Sequence, residues 1–238
     1  MSKIFDAYKK RVGESPDLIM EVGRAGTQVL FQGPDDRQRD EFSRLASRLI
    51  GLRTESRGAV LAFASCAPGE GSSFVSYHAA NVLAHAYQMK VAWVDCNFLS
   101  PQRQLQGQEG ATFSSLLQDP ERLENLRTPE ALTLIPGGEN LMGARGLFAD
   151  DRFAELVQGL SRRFDFTILD LPPILNSTDA ALLAAGTDGL LMVIEQKFLK
   201  REVIEHGLHI LEDKGVKTLG SVINRRTFEL PKIVYDRL

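Results

Sequence analysis

Residues 62–73 read A-F-A-S-C-A-P-G-E-G-S-S, and this stretch decides the fold. An apolar run at residues 59–64 enters the Pro-Gly-Glu-Gly turn, and a helical pattern follows over residues 73–89. A strand, a glycine turn and a helix in this order aim backbone N–H groups and a helix N-terminus at a phosphate. We therefore predict a phosphate-binding loop made of Pro68, Gly69, Glu70, Gly71, Ser72 and Ser73.

The loop lacks its usual lysine. A working loop reads G-x-x-x-x-G-K-[ST], in which the lysine reaches the β- and γ-phosphates and the hydroxyl binds Mg²⁺. Here Gly71 is followed by Ser72 at the lysine position and by Ser73 at the position of the Mg²⁺ ligand. The sequence therefore predicts a phosphate cradle that has lost its main cation.

Composition excludes several classes of protein. The chain of 238 residues has a net charge of -3, which does not favour a nucleic-acid-binding surface. No apolar run approaches the ~20 residues of a membrane span, and residues 1–11 lack the apolar core of a secretory signal. We expect a cytoplasmic protein. Its two cysteines, Cys66 and Cys96, are more typical of buried thiols than of a redox pair.

The chain divides into a lead of residues 1–38 and a domain of residues 39–238. Residues 1–11 favour a short amphipathic helix, and residues 12–38 are rich in Gly, Pro and charge, as in a linker. Residues 29–34, V-L-F-Q-G-P, resemble the cleavage site of a picornaviral protease and are left out of the fold prediction.

Strand and helix patterns alternate through the domain. The predicted strands are residues 59–64, 91–94, 132–135, 165–169, 189–194 and 218–223; the predicted helices are residues 39–52, 73–89, 150–163, 179–185 and 201–213, with a polar helical insertion at residues 104–126. This alternation predicts one doubly wound α/β domain with a mainly parallel sheet covered on both faces. Ligands of such sheets bind beyond the carboxyl ends of the strands.

Two aspartates end predicted strands near the loop. Asp170 follows the apolar run I-L, as suits a Mg²⁺ contact made directly or through water. Asp95 follows V-A-W-V and would activate an attacking hydroxyl or hold the metal. Glu70, inside the turn, is expected to face solvent or an arginine. His78 and His85 on the following helix are expected to be packing or surface residues, because no metal-ligand spacing accompanies them.

Three segments in this order resemble the bacterial tyrosine kinase (BY-kinase) family of capsule and exopolysaccharide regulators. They are the loop, V-D-C-N-F-L-S-P at residues 94–101 and I-L-D-L-P-P at residues 168–173. The resemblance implies a P-loop NTPase-like fold of the deviant Walker or partition-ATPase type. It also implies ATP or ADP with Mg²⁺, and the metal on Ser73 and Asp170. Asn224 would lie near the adenine, and Arg225 is a further cofactor-binding candidate.

The chain departs from the family at several positions. Besides Ser72, Asn97 replaces a second aspartate and Leu99 an arginine, and the tail holds one tyrosine, Tyr235, instead of a cluster. Asp95 and Asp170 would then be remnants of a catalytic site. Three readings of the site stay open: a relic that binds nothing, a weak nucleotide binder without kinase activity, and a kinase with a substitute cation. The candidate cations are Lys90, Lys197 and Lys200.

The resemblance predicts a regulator of exopolysaccharide synthesis and export with weak or no nucleotide binding and no phosphotransfer. Its expected partners are the cytoplasmic tail of a membrane chain-length regulator, which would place it peripherally at the inner membrane, an active kinase paralogue and further copies of itself. One alternative is an active protein-tyrosine kinase. Another is a partition or septum-placement ATPase, but those carry a lysine early in the loop, where this chain has Ala67 and Pro68.

Overall fold

The structure is a computed structural model that describes residues 20–23, 36–53, 56–101, 110–128, 131–138, 146, 148, 151–196 and 198–226. Its strands and longer helices are, in chain order, β1 (Met20–Gly23), α1 (Asp36–Ile50), β2 (Ala59–Ser65), α2 (Ser72–His85), β3 (Val91–Asp95), α3 (Phe113–Gln118), β4 (Leu132–Ile135), α4 (Asp151–Arg163), β5 (Phe166–Asp170), α5 (Thr178–Ala185), β6 (Gly189–Glu195), α6 (Arg201–Asp213) and β7 (Thr218–Arg226). Short 3-10 helices lie at Pro120–Asn125 and Ile174–Asn176.

The seven strands form one sheet in the order β1-β7-β6-β2-β5-β3-β4, and every pairing is parallel. Strand β2 lies in the middle, and the chain winds outward from it in both directions. This arrangement confirms the predicted doubly wound α/β fold. All strand ends that precede a helix therefore meet at one edge of the sheet, where the predicted loop lies.

Strand β2 is buried between hydrophobic clusters on both faces of the sheet. All seven of its residues are buried, and its side chains alternate between two hydrophobic clusters. Val60 and Ala62 face the cluster that includes α3, α4, α5 and α6, whereas Leu61 and Phe63 face the cluster that includes α1 and α2. A near-continuous apolar strand is typical of a parallel sheet buried on both sides.

Part of the predicted linker is regular structure. Met20–Gly23 pairs in parallel with β7 at the edge of the sheet, and α1 begins at Asp36, within the predicted lead. A four-residue strand gives little periodic signal, so composition was a poor guide there. The division at residue 38 stays a prediction, and residues 1–11 and 29–34 lie outside the described residues.

Two predicted helices were too long. The described part of the insertion is a six-residue helix, α3, followed by the 3-10 helix at Pro120–Asn125, because a proline cannot continue a helix. Helix α2 ends at His85 instead of residue 89. Gln88 adopts φ 53°, a left-handed conformation that an α-helix excludes.

Candidate functional site

The predicted loop joins β2 to α2 at the carboxyl edge of the sheet. Gly69 and Gly71 adopt φ 91° and φ 88°, a region that favours glycine. A Cβ on Gly71 would also lie 2.2 Å from the Nδ2 atom of Asn224, so the loop and the end of β7 are in close contact. Both glycines of the P-G-E-G turn are therefore required by the backbone that the structure adopts.

The loop presents backbone donors to the space above α2. The N–H groups of Gly69, Glu70, Gly71, Ser72 and Ser73 make no hydrogen bond to any other residue that the structure describes. Donors of this kind at the start of a helix are suited to an anion. The loop therefore has a backbone geometry suited to a phosphate, and phosphate binding by these residues stays a prediction.

Glu70 lies inside the loop, so the expectation that it faces solvent or an arginine was wrong. Its side chain is fully buried, Oε1 accepts from the N–H of Ala67 at 2.8 Å, and Oε2 accepts from the N–H of Glu195 at 3.1 Å. Burial raises the pKa of Glu70 against the opposing effect of the N–H donors of Ala67, Glu195 and Cys66. Glu70 therefore braces the loop from within and ties it to the end of β6.

The two strand-end aspartates meet beside the loop. Asp95 and Asp170 are directly paired between β3 and β5, and both are buried. Burial, and next the charge of Asp95, raise the pKa of Asp170 well above its ordinary value, whereas three serine hydroxyls lower it: those of Ser73, Ser76 and Ser72. In the described part of the chain no lysine or arginine forms an ion pair with Asp170.

Ser76 lies beside the acidic pair and was not predicted as a site residue from the sequence. Its hydroxyl donates to the carbonyl oxygen of Ser73 at 3.1 Å and accepts from the Nε1–H of Trp93 at 3.0 Å. These bonds link α2 to β3 beside the acidic pair. The signal that was available is its spacing, one helical turn after Ser73, which places both hydroxyls on the same side of α2.

The residues present fit a phosphate group and a divalent cation. The unbonded loop donors match phosphate oxygens, and neither oxygen of the buried Asp170 carboxylate has a hydrogen-bond partner among the described residues. Oxygen ligands of this kind are those that Mg²⁺ prefers. Asp170 and Ser73 would hold the metal, and Asp95 lies next to them.

Asn224 and Arg225 close the loop from the side of β7. The Asn224 side chain donates from Nδ2 to the carbonyl oxygen of Glu70 at 2.8 Å, and its Oδ1 accepts from the N–H of Arg225 at 2.9 Å. The Arg225 guanidinium donates from Nη1 to the carbonyl oxygen of Gly69 at 3.0 Å and to Glu195 Oε2 at 2.8 Å. The structure thus brings both residues to the loop.

Glu195, at the end of β6, is a second residue that the sequence analysis missed. Its backbone N–H binds Glu70 and its carboxylate binds Arg225, so one residue connects the loop brace to the arginine. A charged residue directly after the apolar run of β6 was the available signal, because it falls at the ligand-binding edge of the sheet.

Asn97 and Leu99, which stand where the BY-kinase pattern has an aspartate and an arginine, make only local contacts. The Asn97 side chain accepts from the N–H of Ser100 at 3.2 Å, and its own N–H donates to Asp95 Oδ1 at 3.0 Å. Leu99 is 47% exposed and cannot bind a phosphate. Residues 97–100 therefore bind Asp95 through the backbone N–H of Asn97 and carry no cationic side chain.

Of the three candidate lysines, neither of the two that the structure describes contacts the loop. Lys90 directly precedes β3, and its N–H binds Asp165 at 2.9 Å, which places it at the opposite edge of the sheet. Lys200 is the residue before α6, and no contact joins it to the loop among the described residues. Lys197 lies outside the described residues.

The cysteine and histidine predictions are confirmed. Cys66 and Cys96 are free, buried thiols; burial and the Glu70 charge raise the pKa of Cys66 to about 12, and burial is also the main cause that raises the pKa of Cys96. Such thiols are poor nucleophiles. His78 packs against Phe74 with ring centroids 4.3 Å apart, and the exposed His85 caps a helical carbonyl.

The chain is similar in sequence to known bacterial tyrosine kinases. The chain is 28% identical over 220 residues to the tyrosine-protein kinase ptk of Acinetobacter johnsonii, covering 90% of this chain and 30% of that protein. It is 26% identical over 204 residues to the tyrosine-protein kinase wzc of Salmonella typhimurium, covering 83% of this chain and 28% of the relative. The chain is similar to the bacterial tyrosine kinase (BY-kinase) family over most of its length. It spans less than a third of the length of these BY-kinases.

Solved structures share the fold. The kinase domain of Escherichia coli tyrosine kinase ETK matches with a TM-score of 0.75 and 19% identity over 89% of this chain and 91% of that one. A cobyrinic acid a,c-diamide synthase from Mycobacterium smegmatis, solved with an ATP analog and magnesium, matches with a TM-score of 0.53 and 18% identity over 70% of each chain. No family model matches the chain. Within the described residues, no helix is both long and apolar enough to cross a membrane.

Proposed function

We propose that this BY-kinase-like chain is a regulatory protein of capsule or exopolysaccharide synthesis that binds Mg²⁺-nucleotide weakly and does not transfer phosphate. One observation supports this most: the loop keeps its glycine geometry and its open N–H donors, while Ser72 stands at the lysine position beside the buried Asp95 and Asp170. The shape needed for binding is present and the charge needed for chemistry is depleted.

The expected loss of affinity follows from the missing contact. A hydrogen bond to a charged group contributes about 1.5–3 kcal/mol, so losing the lysine weakens nucleotide binding roughly 10- to 150-fold. Nucleotide phosphates would lie on the loop N–H groups, and Mg²⁺ on Ser73 and Asp170 would neutralise phosphate charge.

Phosphotransfer should suffer more than binding. Phosphoryl transfer depends almost wholly on positioning and charge stabilisation, so a site with fewer cations loses rate before it loses affinity. Asn97 is not a carboxylate base, and the exposed Leu99 offers no charge. We therefore assign the site a binding role and a regulatory one.

Two assays test this function. Calorimetric titration with Mg-ADP and Mg-ATP should give weak, saturable binding that Asp170→Ala abolishes. Incubation with radiolabelled Mg-ATP should label no tyrosine of this chain or of a tyrosine-containing peptide, under conditions in which an active relative labels the same peptide. Tyrosine labelling that disappears in Asp170→Ala would instead establish an active kinase.

The partner is proposed from the same family resemblance. We propose the cytoplasmic tail of a membrane polysaccharide chain-length regulator, with an active kinase paralogue or another copy of this chain as further partners. Titration of the purified tail peptide into the full chain should give saturable binding. A tail peptide of scrambled sequence is the control, and equal binding of both peptides would contradict the proposal.

A further inference from the structure

We propose that Arg225 supplies part of the positive charge that the loop has lost at position 72 and contacts a nucleotide phosphate there. This inference rests on the proposed nucleotide binding and deepens it. Arg225 lies far from Ser72 in sequence, but its guanidinium already touches the loop, at 3.0 Å from the carbonyl oxygen of Gly69.

The guanidinium is held at the loop by two acceptors. Nη1 donates to Gly69 O and, at 2.8 Å, to Glu195 Oε2, and Glu195 is itself tied to the loop through its backbone bond to Glu70. The cation therefore needs no ligand to be positioned. A preorganised charge costs less ordering on binding than a mobile lysine does.

The backbone of Arg225 has an unusual conformation. Its φ is 52°, in the left-handed region that a non-glycine residue adopts at a cost of about 1–3 kcal/mol. The Asn224 side chain accepts the Arg225 N–H at 2.9 Å and so supports this conformation. Conformations of this kind cluster at ligand sites, where neighbouring contacts maintain them.

The chemistry of arginine suits a phosphate. A guanidinium carries five N–H donors in a planar fork that matches phosphate oxygens, and it stays charged at every physiological pH. The Arg225 side chain is 29% exposed, so an entering ligand can reach it. Neither Lys90 nor Lys200 has a comparable contact with the loop.

Substituting Arg225 alone would leave the Glu195 carboxylate unpaired beside the loop, where it would repel phosphate. The effect of Arg225 therefore has to be separated from that of Glu195. The double variant Arg225→Gly with Glu195→Gln removes both charges and leaves the local net charge unchanged. We choose glycine at position 225 because it adopts positive φ without strain, so the variant should fold at least as well as the parent.

The test is calorimetric titration with Mg-ADP of the full chain in four forms: the parent, Arg225→Gly, the double variant, and Arg201→Ala as a matched control. Arg201 pairs with Glu205 on the surface of α6 and is expected to leave affinity within about twofold. Arg225→Gly should weaken binding about 10-fold or more, as the loss of a charged hydrogen bond predicts, and the double variant should stay weak. Recovery of affinity in the double variant would overturn the proposal.

Making Arg225→Gly in the Ser72→Lys variant distinguishes a contact with phosphate from a contact with the base or sugar. In Ser72→Lys, the lysine takes over the phosphate charge, so Arg225→Gly should then weaken Mg-ADP binding less than about threefold, a clear departure from additivity. An equal loss in both backgrounds would overturn the assignment to phosphate. If the parent binds Mg-ADP and Arg225→Gly binds equally well, only this inference fails; if the parent does not bind, the proposed nucleotide binding fails with it.

Discussion

At the edge of the sheet where the strands begin, Asp188 accepts hydrogen bonds from Arg57 and, at 2.8 Å, from the N–H of Val60. Asp165 pairs in the same way with Arg53 at 3.0 Å. At the edge where the strands end, Asp170 is fully buried beside Asp95 and serine hydroxyls, without such an ion pair in the described chain. The aspartates at the first edge have ion-pair partners, whereas Asp170 at the second edge has none among the described residues.

The pKa values of the two edges move in opposite directions. Burial works to raise the pKa of Asp188, but the Arg57 hydrogen bonds and the Val60 N–H overcome it, so the net pKa is lowered. Burial and the Asp95 charge raise the pKa of Asp170. The contrast teaches that a carboxylate with an ion-pair partner stabilises the fold, whereas a buried carboxylate such as Asp170, whose pKa is raised, costs stability and is typical of a ligand site.

The largest stability effect is expected at the loop brace. Glu70→Ala removes the acceptor of two backbone N–H groups and leaves a cavity, so we expect a loss of about 2–5 kcal/mol and no measurable nucleotide binding. Thermal unfolding followed by circular dichroism measures the loss. Glu205→Ala, which breaks an exposed pair with Arg201, should change stability by less than about 0.5 kcal/mol. Similar losses in both variants would mean that Glu70 is not a brace.

The next prediction is a gain of stability instead of a loss. Asp170→Asn removes a buried charge whose pKa is raised in the folded state. A raised pKa means that the parent loses stability as the pH rises from about 4 through the folded value, so the gain in the variant should be larger at about pH 7.5 than at about pH 5. We expect about 1–3 kcal/mol, or roughly 2–12 °C in Tm, at the higher pH in the presence of a chelator. Destabilisation there would contradict the account of Asp170 as an uncompensated buried charge.

A smaller loss is expected at the other edge. Asp188→Asn breaks the partly exposed pair with Arg57, so after solvent screening we expect a loss of about 1 kcal/mol at neutral pH. Because the folded pKa of Asp188 is lowered, this stabilisation is present above its ordinary pKa and disappears as the pH falls through the folded value. Unfolding measured across pH should therefore show the parent and the variant converging in acid. A constant difference across pH would contradict the charge pairing.

The smallest expected effect is on catalysis. Ser72→Lys should still label no tyrosine with radiolabelled Mg-ATP, because Asn97 and Leu99 remain in place of an aspartate and an arginine. Adding Asn97→Asp and Leu99→Arg to this variant is the matched comparison. Strong labelling by Ser72→Lys alone would show that the missing lysine is the only reason why the parent does not transfer phosphate.

Much of the fold was predictable because its signals are local. Strand β4 and helix α6 were predicted with the bounds that the structure has, and the loop was recognised from its P-G-E-G turn. The burial of Glu70 was not predicted because a glutamate in a turn is usually at the surface, and its bond to the N–H of Glu195 depends on the pairing of β2 with β6.

The role of Arg225 could not be read from the sequence for a similar reason. Its contacts join the loop, β6 and β7, which are far apart in the chain, and its left-handed backbone has no sequence signature in an arginine. The sequence analysis proposed three lysines as the substitute cation, yet Lys90 lies at the opposite edge of the sheet. Long-range contacts of this kind depend on strand order, which residue patterns alone do not specify.

The claim that the cradle survived while its charge was lost is tested most directly by the Mg-ADP affinity of Ser72→Lys relative to the parent. Restoring the cation to an intact cradle should tighten binding roughly 10- to 150-fold, since the loop donors and the Ser73–Asp170 pair are already placed. An unchanged affinity in a variant that is fully folded would mean that the loop no longer binds phosphate, and would contradict this account.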